Sequence, residues 1–394
     1  MKILVAAVAF ASEMSGVQRH AFNVARVLLD RGEVSAVHLA IAPWQRKLIS
    51  SAGLQADERL KVHLAQINPG SLSRNLWYYR ELPLLAERER VDVVHFSYPA
   101  PLNTDAYPCP TVVTLHDLYP YEIPLNFGLR QILFNRLILQ QCLRGADAIV
   151  CISQATLSRL KQYAPFASPK AVQIYNCVEP KLECAAQSPI PGGQGEPFLL
   201  CIAQHRRNKN IPLLIRAFAR LLREGRIDQR MQLVVVGIGG PETARIRRLI
   251  SVLGLQSKVH LLEGLSEPEL QWCYRRCEAL VAPSITEGFG APVAEALLAG
   301  CRVVCSEIPA FREFAGEHCR FVALGAGEEE ALADAVAASL REPIKAPVSL
   351  PRFSANLVAA QYTSLYRDLV ASSPFASRTA LQPEMRAAGI GRRS

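Results

Sequence analysis

Short apolar runs alternate with longer segments of helical periodicity almost from end to end of the chain. In the first half the runs are KILVAAVAF (2–10), AVHLAIA (36–42), KVHLAQI (61–67), VDVVHF (91–96), PTVVTLH (110–116), AIVCIS (148–153) and AVQIYN (171–176). Their near-continuous apolar character predicts strands buried on both faces, the mark of a parallel sheet covered by helices. Amphipathic segments over 17–31, 73–89 and 129–144 predict helices between them. From Cys177 to Pro197 the pattern lapses into CVEPKLECAAQSPIPGGQGEP, which reads as a linker. It then restarts with FLLCIA (198–203), QLVVVGIG (232–239), KVHLLEG (258–264), ALVAPS (279–284), RVVCSE (302–307) and CRFVA (319–323). A last amphipathic helix is expected over 353–370 and a disordered tail beyond it. The resulting plan is α/β throughout. One unit spans 1–176, a linker 177–197, a second unit 198–350, a final helix 351–371 and a tail 372–394. Two such units joined once imply a cleft between them at the carboxyl ends of the strands.

Composition narrows this picture. Half of the 394 residues are hydrophobic, ample for two cores, yet no uncharged apolar run reaches the length of a membrane span. The N-terminal MKILVAAVAF leads into an amphipathic helix and reads as a first buried strand rather than a signal peptide. The 11 cysteines are odd in number and lie inside apolar elements, so they are core residues of a reducing, cytoplasmic compartment. The Cys273/Cys277 and Cys301/Cys305 spacings lack a CxxC partner and carry no zinc site. Against 35 acidic residues stand 44 Lys and Arg, a net charge of +9 spread along the chain. That balance suits an anionic substrate or an acidic membrane surface; no basic-aromatic module points to nucleic acid.

Candidate chemistry gathers where strands end. SITEGFGAPVAEALLAG (284–300) sets Glu287 and Glu295 eight positions apart with Gly288, Gly290 and Pro292 between them. Two glycines and a proline preclude a continuous helix, so Glu287 belongs to a loop, and a helix begins near Pro292 with Glu295 in its first turn. Unpaired amides around Gly288, Phe289 and Gly290, with the helix dipole behind them, suit a phosphate; flanking carboxylates suit neutral hydroxyls. The alternative is a dipole-complementing Glu295 and a solvated Glu287. Ser15-Gly16 opens a helix after the first strand, where glycine lets a ligand approach the backbone. No GxGxxG accompanies it, which disfavours a dinucleotide oxidoreductase. The strand at 110–116 delivers His116 and Asp117 to the cleft edge. Arg206, Arg207 and Lys209 lie where the next helix should begin, a place unfavourable to cations unless an anion binds. Arg206 and Lys209, three apart, would share a helical face and reach one diphosphate. No Asp-x-Asp occurs in the chain, so no metal is expected at the diphosphate.

Taken in order, SG, HDL, RRNKN, VVVGIGGP, PSITEGFGAPVAEALLAG and SEIPAFREFAG resemble the retaining family 4 glycosyltransferases of the GT-B fold, over about residues 1–370. The resemblance implies two Rossmann-like domains, the first on the acceptor side and the second binding a nucleotide-diphosphate sugar, with the final helix crossing back. Glu295 would then bond the ribose, and Glu287 with the amides of Gly288 to Gly290 would meet the transferred sugar and its phosphate. Lys209 with Arg206 or Arg207 would hold the diphosphate, and His116 would contact the sugar from the first domain. Asn208 intervenes where many relatives have an arginine directly before the lysine, and Ser15-Gly16 replaces a double glycine. The implied partners are a nucleotide-sugar donor and a saccharide or lipid-linked acceptor, with no cofactor. The arginine- and leucine-rich helix at 127–145 would give peripheral contact with the inner face of an anionic membrane. A sugar-nucleotide epimerase and a catalytically idle nucleotide-sugar-binding module are the rival readings; dependence on an acceptor would separate transfer from the first, and the His116-Asp117 pair argues against the second.

Overall fold

A computed structural model describes residues 1–10, 14–51, 53–54, 57–124, 128–180, 184–191, 195–344 and 346–373. The tail expected over 372–394 falls, beyond Ser373, outside the described residues. Among the described residues thirteen strands form two sheets. The first comprises β1 (Lys2–Ala6), β2 (Ala36–Ile41), β3 (Leu60–Leu64), β4 (Val93–Phe96), β5 (Thr111–Leu115), β6 (Ala148–Cys151) and β7 (Ala171–Gln173), in the order β3-β2-β1-β4-β5-β6-β7. The second comprises β8 (Phe198–Ile202), β9 (Gln232–Val236), β10 (Val259–Leu262), β11 (Ala279–Ala282), β12 (Val303–Ser306) and β13 (Arg320–Val322), ordered β10-β9-β8-β11-β12-β13.

Every strand pair is parallel. In β1, Ile3 lies opposite Val37 on one side and Val93 on the other; in β8, Leu199 lies opposite Leu233 and Ala279. Each sheet therefore reverses its winding once, at β1/β4 and at β8/β11, and such a switch point opens a crevice at the carboxyl edge.

The faces of each sheet bury separate cores because successive side chains alternate. Ile3 and Val5 pack with Phe22, Val27, Tyr362 and Tyr366, from the helices Gly16–Leu29 and Ala355–Ser372. Leu4, Ala6 and Val8 pack with Trp77, Tyr78, Phe96 and Leu143. The helix Ala355–Ser372 thus lies on the first sheet although it follows the second in sequence. Its Tyr366 hydroxyl meets His95 Nδ1 at 2.6 Å.

The single helix expected over 73–89 is interrupted. Helical turns at Ser71–Leu76 and Leu82–Glu89 flank a wider turn over Trp77–Glu81, in which the Leu82 N–H reaches the Trp77 carbonyl. Pro83 has no N–H to donate, and the wide turn takes up the missing bond of the regular ladder.

Candidate functional site

The carboxyl edges of the two sheets face each other, and the loops leaving β5, β8 and β11 meet there. His116 follows β5 directly. Its Nε2 donates to the Ser97 carbonyl at 2.8 Å, leaving Nδ1 as the acceptor of a neutral ring. Burial lowers its pKa to about 4, only partly offset by that carbonyl, so His116 carries no charge at neutral pH. Asp117 is pushed the other way, up to about 6, chiefly by burial, with Glu122 and Glu287 adding repulsion and the Tyr119 N–H and Arg206 opposing it.

The basic loop differs from its sequence reading. Arg206 is extended (φ −119°, ψ 154°), Arg207–Lys209 form one tight turn, and left-handed Asn210 (φ 51°) separates them from the helix Ile211–Arg223. Arg206 and Lys209 therefore share no helical face, because the extended Arg206 and left-handed Asn210 confine helical geometry to a single turn. Arg206 and Arg207 are exposed, with Arg206 toward Asp117. Lys209 turns inward, and its Nζ sits 2.6 Å from Glu287 Oε1, which also accepts from Ser284 Oγ at 2.7 Å. Asn208, fully buried, donates to the Tyr119 hydroxyl at 3.1 Å across the cleft. Beside the ion pair, Lys209, Ser284, Glu287, Gly290 and Phe311 line a gap of about 10 Å³, room for roughly one water.

The helix after this loop runs Ala291–Leu298, and Gly290 precedes it at φ 94°. A Cβ on Gly290 would sit 2.3 Å from the Phe311 ring, so both conformation and space require glycine. Starting at Ala291, one residue earlier than expected, the helix places Glu295 in its second turn, away from the positive end of the dipole. Glu295 instead accepts from the Tyr274 hydroxyl at 2.5 Å and faces Arg19 of the first domain at 3.9 Å. Phe289 is 2% exposed and packs on Phe314, Phe353 and Tyr175; only its backbone is available to a ligand. Gly16 is exposed as the first residue of its helix, which Ser15 caps through a reciprocal bond with Gln18. A Cβ there would meet nothing, so packing does not require this glycine.

Several residues that join the domains had no part in the sequence reading. Ser153, the N-cap of the helix Gln154–Tyr163, and Thr156 within it both donate to the Gly288 carbonyl, Thr156 at 3.0 Å. Arg159 donates to the Glu287 carbonyl at 2.7 Å and pairs with Glu122 at 2.5 Å. Glu313, from the helix Pro309–Ala315, accepts the Gln154 and Ala155 N–H groups at 2.7 and 3.1 Å, capping a helix of the opposite domain. Arg19 reaches Glu267 at 2.8 Å. A serine directly before a helical segment is the local mark of a cap, as Ser153 is here; nothing local marks its partner across the cleft.

Comparison with known proteins agrees with this architecture. The family model for glycosyltransferase family 4 matches residues 14–182 and that for glycosyl transferases group 1 matches residues 186–351. The serotype-specific mannosyltransferase WbdA of Escherichia coli is 30% identical over 239 residues, covering 56% of this chain and 28% of that protein. The O-antigen chain mannosyltransferase RfbU of Salmonella typhimurium is 27% identical, covering 51% of this chain and 53% of that one. The chain thus spans about a quarter to a half of the length of these relatives. The crystal structure of WaaG, a glycosyltransferase involved in lipopolysaccharide biosynthesis, superposes with a TM-score of 0.65 over 95% of this chain and 96% of its own, at 16% identity, a likeness of fold alone. With a matching family model on each α/β half and the GT-B architecture around one cleft, the chain belongs to the group 1, family 4 glycosyltransferases.

Proposed function

We propose that this protein is a retaining, metal-independent hexosyltransferase that moves a sugar from a nucleotide-diphosphate donor to an acceptor hydroxyl in the assembly of a bacterial surface polysaccharide or glycolipid. The observation that carries the reading is the largely buried Lys209–Glu287 ion pair (2.6 Å) at the start of the Ala291–Leu298 helix, opposite a neutral His116. A diphosphate entering there exchanges one partner of Lys209 for another, with Arg206 at the exposed rim, and the N–H groups from Gly288 to Gly290 add donors without a metal. Glu295 takes the ribose hydroxyls. His116 Nδ1, held as an acceptor, suits a neutral sugar hydroxyl rather than developing charge. In the transfer itself the anomeric carbon–oxygen bond breaks with its electron pair leaving on the diphosphate. The acceptor oxygen bonds on the same face, and its proton passes to the departing phosphate.

The names of the two relatives favour a mannosyl donor and an O-antigen-type acceptor. A lipid-linked acceptor fits the helix Leu129–Gly145: its Ile132, Leu139, Cys142 and Leu143 are buried, whereas Leu133, Phe134 and Leu137 are 63%, 50% and 69% exposed alongside exposed Arg130 and Arg144. An apolar stripe beside cations is suited to an anionic membrane surface. Among the described residues no helix is long and apolar enough to cross a membrane.

The deciding experiment is a donor panel, GDP-mannose among UDP- and GDP-sugars, read by thermal shift and by transfer to a lipid-linked saccharide acceptor. A donor at 100 times its Kd adds about 2.7 kcal/mol of stability. Stabilisation by one donor, with product retaining the donor's anomeric configuration, is expected; release of free epimer or inverted product overturns the proposal.

A further inference from the structure

Away from the cleft, β2, β3 and the helix Leu82–Glu89 bring two histidines and a glutamate together on the sheet face that carries Trp77 and Tyr78. His38 Nδ1 lies 3.0 Å from His63 Nε2, and Glu89 Oε2 lies 3.7 Å from the same His38 nitrogen. The three atoms fall within 4.8 Å of one another. The ring centroids lie 5.2 Å apart with 9° between the planes.

A hydrogen bond between the two rings accounts for one nitrogen of each. It leaves the carboxylate beyond hydrogen-bond reach of His38, held from outside by Arg88 at 3.1 Å. A single ion accounts for all three atoms. Bonds of about 2.0–2.1 Å in a tetrahedron set ligand atoms about 3.3 Å apart, midway between the observed 3.0 and 3.7 Å. Shifts of a few tenths of an ångström bring these two separations to that value, and the third lies within 4.8 Å. His38 is fully buried while His63 and Glu89 are partly exposed, which gives the ion an entry side and a water for the fourth position.

We propose that His38, His63 and Glu89 bind a zinc ion that staples β2, β3 and the Leu82–Glu89 helix together, independently of the transfer reaction. Two imidazoles and a carboxylate select a borderline divalent ion over magnesium or calcium, which prefer all-oxygen shells. The staple joins segments 25 residues apart from His38 to His63 and a further 26 on to Glu89. None of the three residues contacts the cleft.

The test uses the full chain, stripped with chelator, against His63→Ala and Glu89→Gln, whose partly exposed positions tolerate substitution. Zinc titration should give one more bound ion in the wild type than in either variant, at least tenfold tighter than any residual binding. It should also raise the Tm of the wild type alone by several degrees. Cobalt in place of zinc should give visible bands of a tetrahedral site without the near-ultraviolet thiolate band that cysteine binding would produce. Equal zinc stoichiometry and Tm shift in wild type and variants, a thiolate band in all three proteins, or no zinc bound by the wild type would each overturn the site. Transfer rates of the stripped protein, measured well below its Tm, should match those of the loaded one; a dependence on zinc would overturn its independence from the reaction.

Discussion

Substituting Gly288→Ala places one methyl group where the two domains touch most closely. The new Cβ would lie 1.8 Å from the His116 carbonyl oxygen, and side-chain carbons do not approach such an atom closer than 3.0 Å, so the gap must open by about 1.2 Å. Opening by that distance breaks the bonds from Ser153 and Thr156 to the Gly288 carbonyl and that from Arg159 to the Glu287 carbonyl. Two neutral bonds at about 0.5–1.5 kcal/mol each, and one from a guanidinium that keeps its Glu122 partner, disfavour closure by about 2–4 kcal/mol. If transfer proceeds only with His116 held against the 284–290 loop, kcat/KM falls by about 30- to 1000-fold, since 1.36 kcal/mol is a decade. Nucleotide affinity, set within the second domain, should change far less. The assay compares transfer kinetics and nucleotide titration in wild type and variant, with small-angle scattering for domain separation. A variant whose kcat/KM stays within about threefold of wild type, despite a folded and opened structure, would refute the link between closure and catalysis.

Glu295→Ala should weaken nucleotide binding by about 1.5–3 kcal/mol, the worth of a hydrogen bond to a charged group, and unchanged affinity for every nucleotide-sugar would return Glu295 to a structural partner of Tyr274 and Arg19. Lys209→Ala should cut turnover by about two to three orders of magnitude. It also strands a buried carboxylate, so adding Glu287→Gln should restore stability but not turnover; recovery of both would remove Lys209 from the diphosphate site. Transfer should survive exhaustive EDTA treatment, and loss with recovery on adding magnesium or manganese would sink the metal-free mechanism. On acidification, burial holds His116 and His95 at pKa values of about 4 and about 3, and His20 well below its ordinary value, while the unfolded chain takes up protons near pH 6.5. Unfolding then binds protons, and stability present above pH 6.5 is lost as the pH falls. Asp117, raised to about 6, and Glu122, also raised, act oppositely as the pH falls, but His38, likewise lowered to about 4 by burial, joins the three histidines and leaves a net loss of about 3–5 kcal/mol at pH 5 relative to pH 7. Urea midpoints measure it; equal or greater stability at pH 5 contradicts the neutral-histidine core.

What the amino-acid sequence determined by itself was everything set by local periodicity and local backbone chemistry. Continuous apolar runs specify doubly covered parallel strands, and the winding follows because sequential βαβ units pack in one hand. Pro292 behind Gly288 and Gly290 marks a loop entering a helix, and His116 and Asp117 stand at a strand's carboxyl end because β5 stops at Leu115. The helix start was displaced by one residue, and with it Glu295, because Gly290 caps from the left-handed region with Phe311 against it. Only tertiary structure decided which groups meet. Arg19 reaches Glu267 from 248 residues away, Glu313 caps a helix 159 residues earlier, and Lys209 finds Glu287 rather than a helical neighbour of Arg206. His38, His63 and Glu89 gather because β2 and β3 are adjacent and the wide turn at Trp77–Glu81 sets the path of the helix that carries Glu89. Contacts of this kind depend on how rigid elements dock, a sum over whole buried faces, so no spacing within a single stretch encodes them.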